Sequence, residues 1–311
     1  MNEKLVVSYW SGHLPQVAKL HFESFRAMRG SYSYILFFDS DIIPLPPQEE
    51  IYNVIGDDID VRFFSLNELM LRHGVKVPAA RMPPFSRGLA ALDKIFVGAF
   101  HRLSHGRHSS RSGAMGPRAG WHPRFGYSQG HTLPYSLFKT NLPFRSDLFR
   151  CLVPQDFPSA DILYTDLDIC FIRPLEEILT GEAFTYRWGD EDFANSAFLY
   201  LPTNSGKAAP FLLRALRTGL SPIPWVMFDE KNCLEMDLEI YPVDLFDPGW
   251  SRESVSFGSS DLFFQNDLRS GELMNEVLEK NLVVHWHNHW AEAPEPGSTY
   301  DLLLQHFANN P

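Results

Sequence analysis

The chain has 311 residues, 44% of them hydrophobic and 21% charged, a globular balance that excludes disorder, collagen, coiled coil and tandem repeats as the main architecture. Its net charge of -11 argues against a nucleic-acid partner held by bulk charge. Cys151, Cys170 and Cys233 are odd in number and form no CxxC pair, which speaks against a disulfide framework or a structural zinc site and for a reducing compartment.

The opening Met1-Asn2-Glu3-Lys4 runs into Leu5–Trp10, an apolar run too short for a signal segment and strand-like in composition, closed by Ser11-Gly12. Nowhere do the ~18 apolar residues needed to span a bilayer occur together. The expectation is a soluble, cytoplasmic chain, with peripheral membrane contact left open. Pro15 opens a helix carrying Val17, Leu20, Phe22, Phe25 and Met28. Tyr34–Phe38 reads as a buried strand ending in Asp39-Ser40-Asp41. Val61–Phe64 reads as a strand, and Leu66–Leu71 and Leu89–Phe100 as helices. From Arg102 to His131 the composition turns basic, Gly- and Ser-rich, with no acid, so the stretch is expected as a loop insertion. It suits either a solvated loop or a lid for an anionic ligand, since Arg pairs well with phosphate oxygens.

Beyond the insertion, Ser146 is placed as the N-cap of a short helix through Leu152. Asp161–Thr165 is a strand ending in Asp166-Leu167-Asp168, Ile169–Ile172 continues extended, and Arg173-Pro174-Leu175 turns into a short helix. Strands follow at Phe184–Arg187 and Ser196–Leu201, with Asn195 at the strand entrance, then a helix at Ala208–Leu216. Ile240–Val243 is a short strand, Leu273–Leu278 a helix, Leu282–His287 a late strand and Tyr300–Phe307 an amphipathic helix. With no linker and no repeat, residues 1–311 are expected to form one α/β domain with a mainly parallel central sheet flanked by helices.

The sharpest feature is Asp166-Leu167-Asp168. Carboxylates spaced i, i+2 on extended backbone point to one side. At the C-terminal end of a strand they face the crevice where α/β sheets bind ligands. Two like charges there need a compensating cation or donor. A hard divalent ion, Mn²⁺ or Mg²⁺, is the natural partner and keeps positions open for diphosphate oxygens. A solvated turn is the plain alternative. The late segment Val284-His285-Trp286-His287-Asn288-His289-Trp290 places three histidines on alternate positions, where an imidazole can complete a metal shell.

The run Ser146-Asp147-Leu148-Phe149-Arg150, then Ile162-Leu163-Tyr164-Thr165-Asp166-Leu167-Asp168-Ile169 and Ile172-Arg173-Pro174-Leu175, resembles the DXD sugar-binding region of glycosyltransferase family 32. Tyr9–Pro15 and the His–Trp segment at 284–290 are similar to that family's first strand and late element. Ser159-Ala160 stands where the family has Gly-Gly, and Cys151 where it has an aromatic residue. The resemblance implies a GT-A-like fold and a retaining, metal-dependent transfer of sugar from a nucleotide-diphosphate donor, most commonly a UDP-sugar, to a glycan or glycolipid hydroxyl. Carried over, Asp147, Arg150 and Asp166 meet the donor, with Tyr9, Trp10 and Trp290 near its base. Asp168 holds the metal with His285, His287 or His289, and Asp166, Asp168 and Asn195 form the catalytic set. Asp190, Glu191 and Asp192 are candidates for acceptor hydroxyls.

Two other readings stay open. Asp39 and Asp41 at a strand end look like the nucleophile motif of haloacid-dehalogenase-type phosphatases, with Gly56-Asp57-Asp58 as a late acidic motif, though these lie too close together for that fold. A transferase-like protein that binds a glycan without turnover is the third.

Overall fold

The computed structural model describes residues 2–42, 45–76, 142–189, 191–247, 261–287, 290 and 292–310. Seven strands form one sheet: β1 (Glu3–Trp10), β2 (Ser33–Asp39), β3 (Asp60–Phe64), β4 (Ala160–Thr165), β6 (Phe184–Arg187), β7 (Ala194–Leu201) and β8 (Glu239–Tyr241), in the order β3-β2-β1-β4-β7-β6-β8. β1 pairs in parallel with β2 and β4, and β2 with β3; β7 runs antiparallel to both β4 and β6, while β6 and β8 are parallel. The fold is therefore α/β with a mainly parallel sheet. A separate two-stranded sheet joins β5 (Ile169–Phe171) to β9 (Val283–His285). Among the described residues, the helices of seven residues or more are α1 (Lys19–Met28), α2 (Gln48–Ile55), α3 (Leu66–Arg72), α4 (Leu142–Leu152), α5 (Ala208–Thr218), α6 (Ser270–Lys280) and α7 (Thr299–Asn309).

The alternation of side chains along β1 builds two cores. Leu5, Val7 and Tyr9 pack with Leu69, Phe149 and Leu212 of α3, α4 and α5 on one face. Val6 packs with Phe22 and Phe25 of α1 and Ile51 and Val54 of α2 on the other. A third cluster joins Leu20 and Cys170 to Leu273, Trp286, Tyr300 and Leu303, seating the small sheet on α1, α6 and α7.

From β1 the chain winds outward to β2 and β3, then returns to β4 on the other side of β1. That reversal opens a crevice at the C-terminal ends of β1 and β4, the switch point where open α/β sheets take ligands. Because β7 is antiparallel, its first residues lie at this same edge.

Several sequence expectations are corrected. Ser146 is not an N-cap: α4 begins four residues earlier, with Pro143 in its first turn, where a proline costs no helical hydrogen bond. α2 was not foreseen. β5 leaves the main sheet, and β9 stops at His285, since its partner offers only three residues and His287 adopts a positive φ of 53°. The expected strand through His287 is thus a strand and a turn. The helix expected at Leu89–Phe100 and the basic stretch Arg102–His131 lie outside the described residues. No helix among the described residues is long and apolar enough to cross a membrane.

Candidate functional site

The Asp166–Asp168 turn is held from beneath. Leu167, between the two carboxylates, is buried. The amide of Asp166 donates to Ala197 O (2.8 Å), and Asp168 O accepts from the Trp286 amide (3.0 Å). The hydroxyl of Ser8 donates to Thr165 O (2.5 Å) and meets Tyr34 Oη (2.5 Å), which contacts His21 Nε2 (2.6 Å). His21 Nδ1–H donates to Ile169 O (2.7 Å). Burial pushes the His21 pKa down to about 4, so this ring is neutral. One polar chain therefore grips the carbonyls on both flanks of the carboxylate pair.

Asp166 and Asp168 enter different surroundings. Asp166 is partly open, with 26% of its side chain exposed. It accepts from Tyr164 Oη (2.6 Å) and Arg150 Nη2 (3.1 Å). Arg150, from α4, lies over the Tyr164 ring (4.7 Å), donates to Ser196 Oγ (2.6 Å) and pairs with Asp147 (3.3 Å). Ser146 Oγ, one turn before Arg150 in α4, meets Tyr164 Oη (2.8 Å). Burial raises the Asp147 carboxyl to about 7 against the pull of Arg150. Burial also raises Asp166, with Asp168 as a like-charged neighbour, again against Arg150.

Asp168 is buried, and its Oδ2 lies 3.2 Å from His285 Nε2. The register of β5 with β9, Ile169 opposite His285, makes this meeting. On the far side of the ring, Nδ1 lies 2.7 Å from Tyr186 Oη, 3.5 Å from Asn195 Nδ2 and 3.8 Å from Asp247 Oδ2. His287 Nε2 bonds Asp247 Oδ2 (2.6 Å), and its ring centre is 3.9 Å from that of His285. Burial works against a charged His285, but Asp168 and Asp247 outweigh it and move its pKa upward. For His287 burial prevails, aided by His285, and the shift is downward.

These residues fit a divalent ion. His285 Nε2 and Asp168 Oδ2 face each other in a buried space, and Asp247 Oδ1 is a buried oxygen with no hydrogen-bond partner among the described residues. Adjacent ligands of an octahedral ion at ~2.1 Å stand roughly 3 Å apart, close to the 3.2 Å between Asp168 Oδ2 and His285 Nε2. Asp247, His285 and His287 also offer ligand atoms within 4.8 Å of one another.

The other expected residues divide. Asn195, at the start of β7, lies opposite Tyr186 and reaches the His285 ring; its Oδ1 accepts from the Ala197 amide (2.9 Å). Trp10 and Trp290 meet edge to face at 4.9 Å, both half-buried at the rim. Tyr9 belongs to the core instead: buried, packed on Phe64 and Phe149, with its hydroxyl donating to Asp39 (2.6 Å), it has no ring face left to stack on a base. Glu191 is half-buried and Asp192 exposed at the β6–β7 turn. His289 and Asp190 lie outside the described residues.

Asp39 and Asp41 form a structural ion-pair cluster. Buried Arg145 binds Asp39 Oδ2 (2.7 Å) and Asp41 Oδ2 (2.7 Å), and Ser65 and the Asn67 amide also donate to Asp41. Asp58 pairs with Arg26 and Arg29 near the opposite edge of the sheet. A phosphatase nucleophile at Asp39 has no support in this arrangement.

Tyr186, Asp247 and Arg145 were missed in the sequence. Arg145 adjoins the Ser146-Asp147 motif and could have been flagged there; Tyr186 and Asp247 carry no local signal, because only strand register and a distant turn bring them to His285.

No family model matches the chain, and no curated relative matches it. Among solved structures it is similar to the apo form of the bifunctional glycosyltransferase WbbM, at 10% identity over 100% of this chain and 50% of that one, with a TM-score of 0.45. It is also similar to the glycosyltransferase GlyE of Streptococcus pneumoniae, at 11% identity over 99% of this chain and 64% of that one, TM-score 0.44. A third is the galactosyltransferase LgtC bound to donor and acceptor sugar analogues, at 8% identity over 97% and 95%, TM-score 0.37. The chain thus spans half of WbbM and under two thirds of GlyE. At such scores the likeness is one of loose shape.

Proposed function

We propose that the chain is a metal-dependent, retaining glycosyltransferase with one GT-A-like domain over residues 1–311, moving a sugar from a nucleotide-diphosphate donor, a UDP-sugar, to a glycan or glycolipid hydroxyl. The observation that carries this reading is the pairing of buried Asp168 with His285 at the switch-point crevice, 3.2 Å apart, beside the Arg150-bound carboxylate of Asp166. The resemblance of residues 146–175 to family 32 points the same way. The activity is assigned to the cytoplasm, with peripheral membrane contact where the acceptor is a glycolipid.

Asp168 and His285 hold Mn²⁺ or Mg²⁺, with His287 and Asp247 behind them. When bound, the ion neutralises charge on the departing diphosphate. Asp166 is fixed by Tyr164 on Oδ1 and by Arg150 on both oxygens, and accepts from donor hydroxyls with its exposed edge. Asp147 and Arg150 line the donor side, and Asn195 is buried behind the His285 ring. Trp10 and Trp290 offer aromatic edges and faces to the base. Asp190, Glu191 and Asp192 accept from acceptor hydroxyls. Front-face attack asks little of a protein nucleophile, so no covalent carboxylate is nominated.

The test is calorimetric binding of UDP and GDP with and without Mn²⁺, on the wild type and on Asp168→Asn. The expected outcome is Mn²⁺-dependent UDP binding that the variant loses while staying folded, followed by turnover with a UDP-sugar. A folded wild type that binds neither nucleotide overturns the reading.

A further inference from the structure

A ring that offers a lone pair at Nε2 must carry its proton on Nδ1, and the partner of Nδ1 decides which tautomer prevails. His285 has three polar neighbours on that side. Asn195 Nδ2 is a donor only, its orientation fixed because Oδ1 accepts from the Ala197 amide. Asp247 Oδ2, at 3.8 Å, is beyond hydrogen-bond range of Nδ1 and already accepts from His287. The oxygen of Tyr186, at 2.7 Å, is the neighbour placed to accept.

Tyr186 is built to stay there. It is fully buried, its ring stacks on Phe246 (5.0 Å, 8° between planes), and β-pairing with Asn195 and Tyr241 sets its position. Burial, with Asp247 and Asp168 nearby, holds its phenol well above the usual range, so it remains a neutral hydroxyl. The opposite arrangement, Tyr186 donating to Nδ1, would put a proton on Nε2 facing Asp168 Oδ2 at 3.2 Å and leave that nitrogen no lone pair for a cation.

We propose that Tyr186 is a positioning residue that accepts from His285 Nδ1–H and thereby holds the Nε2 lone pair toward Asp168, completing the cation-binding edge. This rests on the metal-dependent reading above.

Two readouts on the full chain test it. The first is ¹⁵N NMR of histidine-labelled protein at alkaline pH, with His285 assigned through His285→Gln. The wild type should show the Nδ1–H tautomer, and Tyr186→Phe a mixture or the Nε2–H form. The second is Mn²⁺ affinity by calorimetry, expected to fall ~10–100-fold in Tyr186→Phe, the usual effect of losing a partner behind a ligating histidine, with the far-UV circular dichroism unchanged. An Nε2–H tautomer in the wild type overturns the proposal, as does equal Mn²⁺ affinity in the two proteins. If Tyr186→Phe does not fold, the wild-type spectrum decides alone. A wild type that shows the Nδ1–H tautomer but binds no divalent ion sinks the metal reading, and with it the role given to the lone pair, while leaving the Tyr186 contact established.

Discussion

Asp147 is a carboxyl whose setting has consequences for stability as well as for binding. Burial raises it to about 7 in the folded chain, against an ordinary value of 3.8 in the unfolded one. Because the folded state holds the proton more tightly, the group's contribution to stability is fully present below about pH 4 and is lost as the pH rises through about 7. Each unit of such a shift corresponds to about 1.4 kcal/mol. Asp147→Asn cannot ionise, so its stability relative to the wild type should climb between those limits and level off above them. Urea denaturation across that range checks this; a gap that stays constant means that Asp147 ionises normally. At the same scale, Asp168→Asn should abolish turnover and Mn²⁺-dependent nucleotide binding together, since it removes the carboxylate charge beside His285 Nε2.

At the scale of elements, α4 carries two different jobs on adjacent turns. Arg150 reaches the crevice, whereas Arg145 ties the helix to the end of β2 through Asp39 and Asp41. Removing one partner of a buried ion pair typically costs ~3–5 kcal/mol, because the remaining charge is stranded. Arg145→Met should therefore show a loss of that size in urea denaturation, with Asp39 and Asp41 left uncompensated; a change below about 1 kcal/mol would mean that the cluster is not holding the helix. The helix also explains why Ser146 was misread. Its hydroxyl type suits an N-cap, but Pro143 starts the helix earlier, and the hydroxyl then turns inward to Tyr164.

At the scale of the whole molecule, the sheet has one chemical edge. The ends of β1, β4 and β6 and the start of β7 converge there, while Asp58, just before β3, lies toward the other edge, 38% exposed and paired with Arg26. Exposed pairs of this kind contribute ~0–1 kcal/mol. Asp58→Asn should leave transferase turnover unchanged and shift the melting temperature by a few degrees at most. Lost turnover in that variant would place chemistry at an acidic motif that this arrangement assigns to structure.

The strands of the main sheet were legible because apolar runs such as Tyr34–Phe38 and Ile162–Tyr164 are buried on both faces and carry their own signal. The strand-end carboxylates Asp166 and Asp168, the Arg150 motif and His285 were legible for a related reason: short spacing on regular backbone dictates where side chains point. What residues distant in sequence do to one another was not written locally. Tyr9 reads as a crevice aromatic, yet the core formed by Phe64 and Phe149 claims its ring. Tyr186 and Asp247 reach His285 across 99 and 38 residues of chain through strand pairing and a turn. Local pattern determined which side chains sit at the ends of strands; only the tertiary packing decided which of them share a buried space, since desolvation and hydrogen-bond partners depend on neighbours that the chain brings together last.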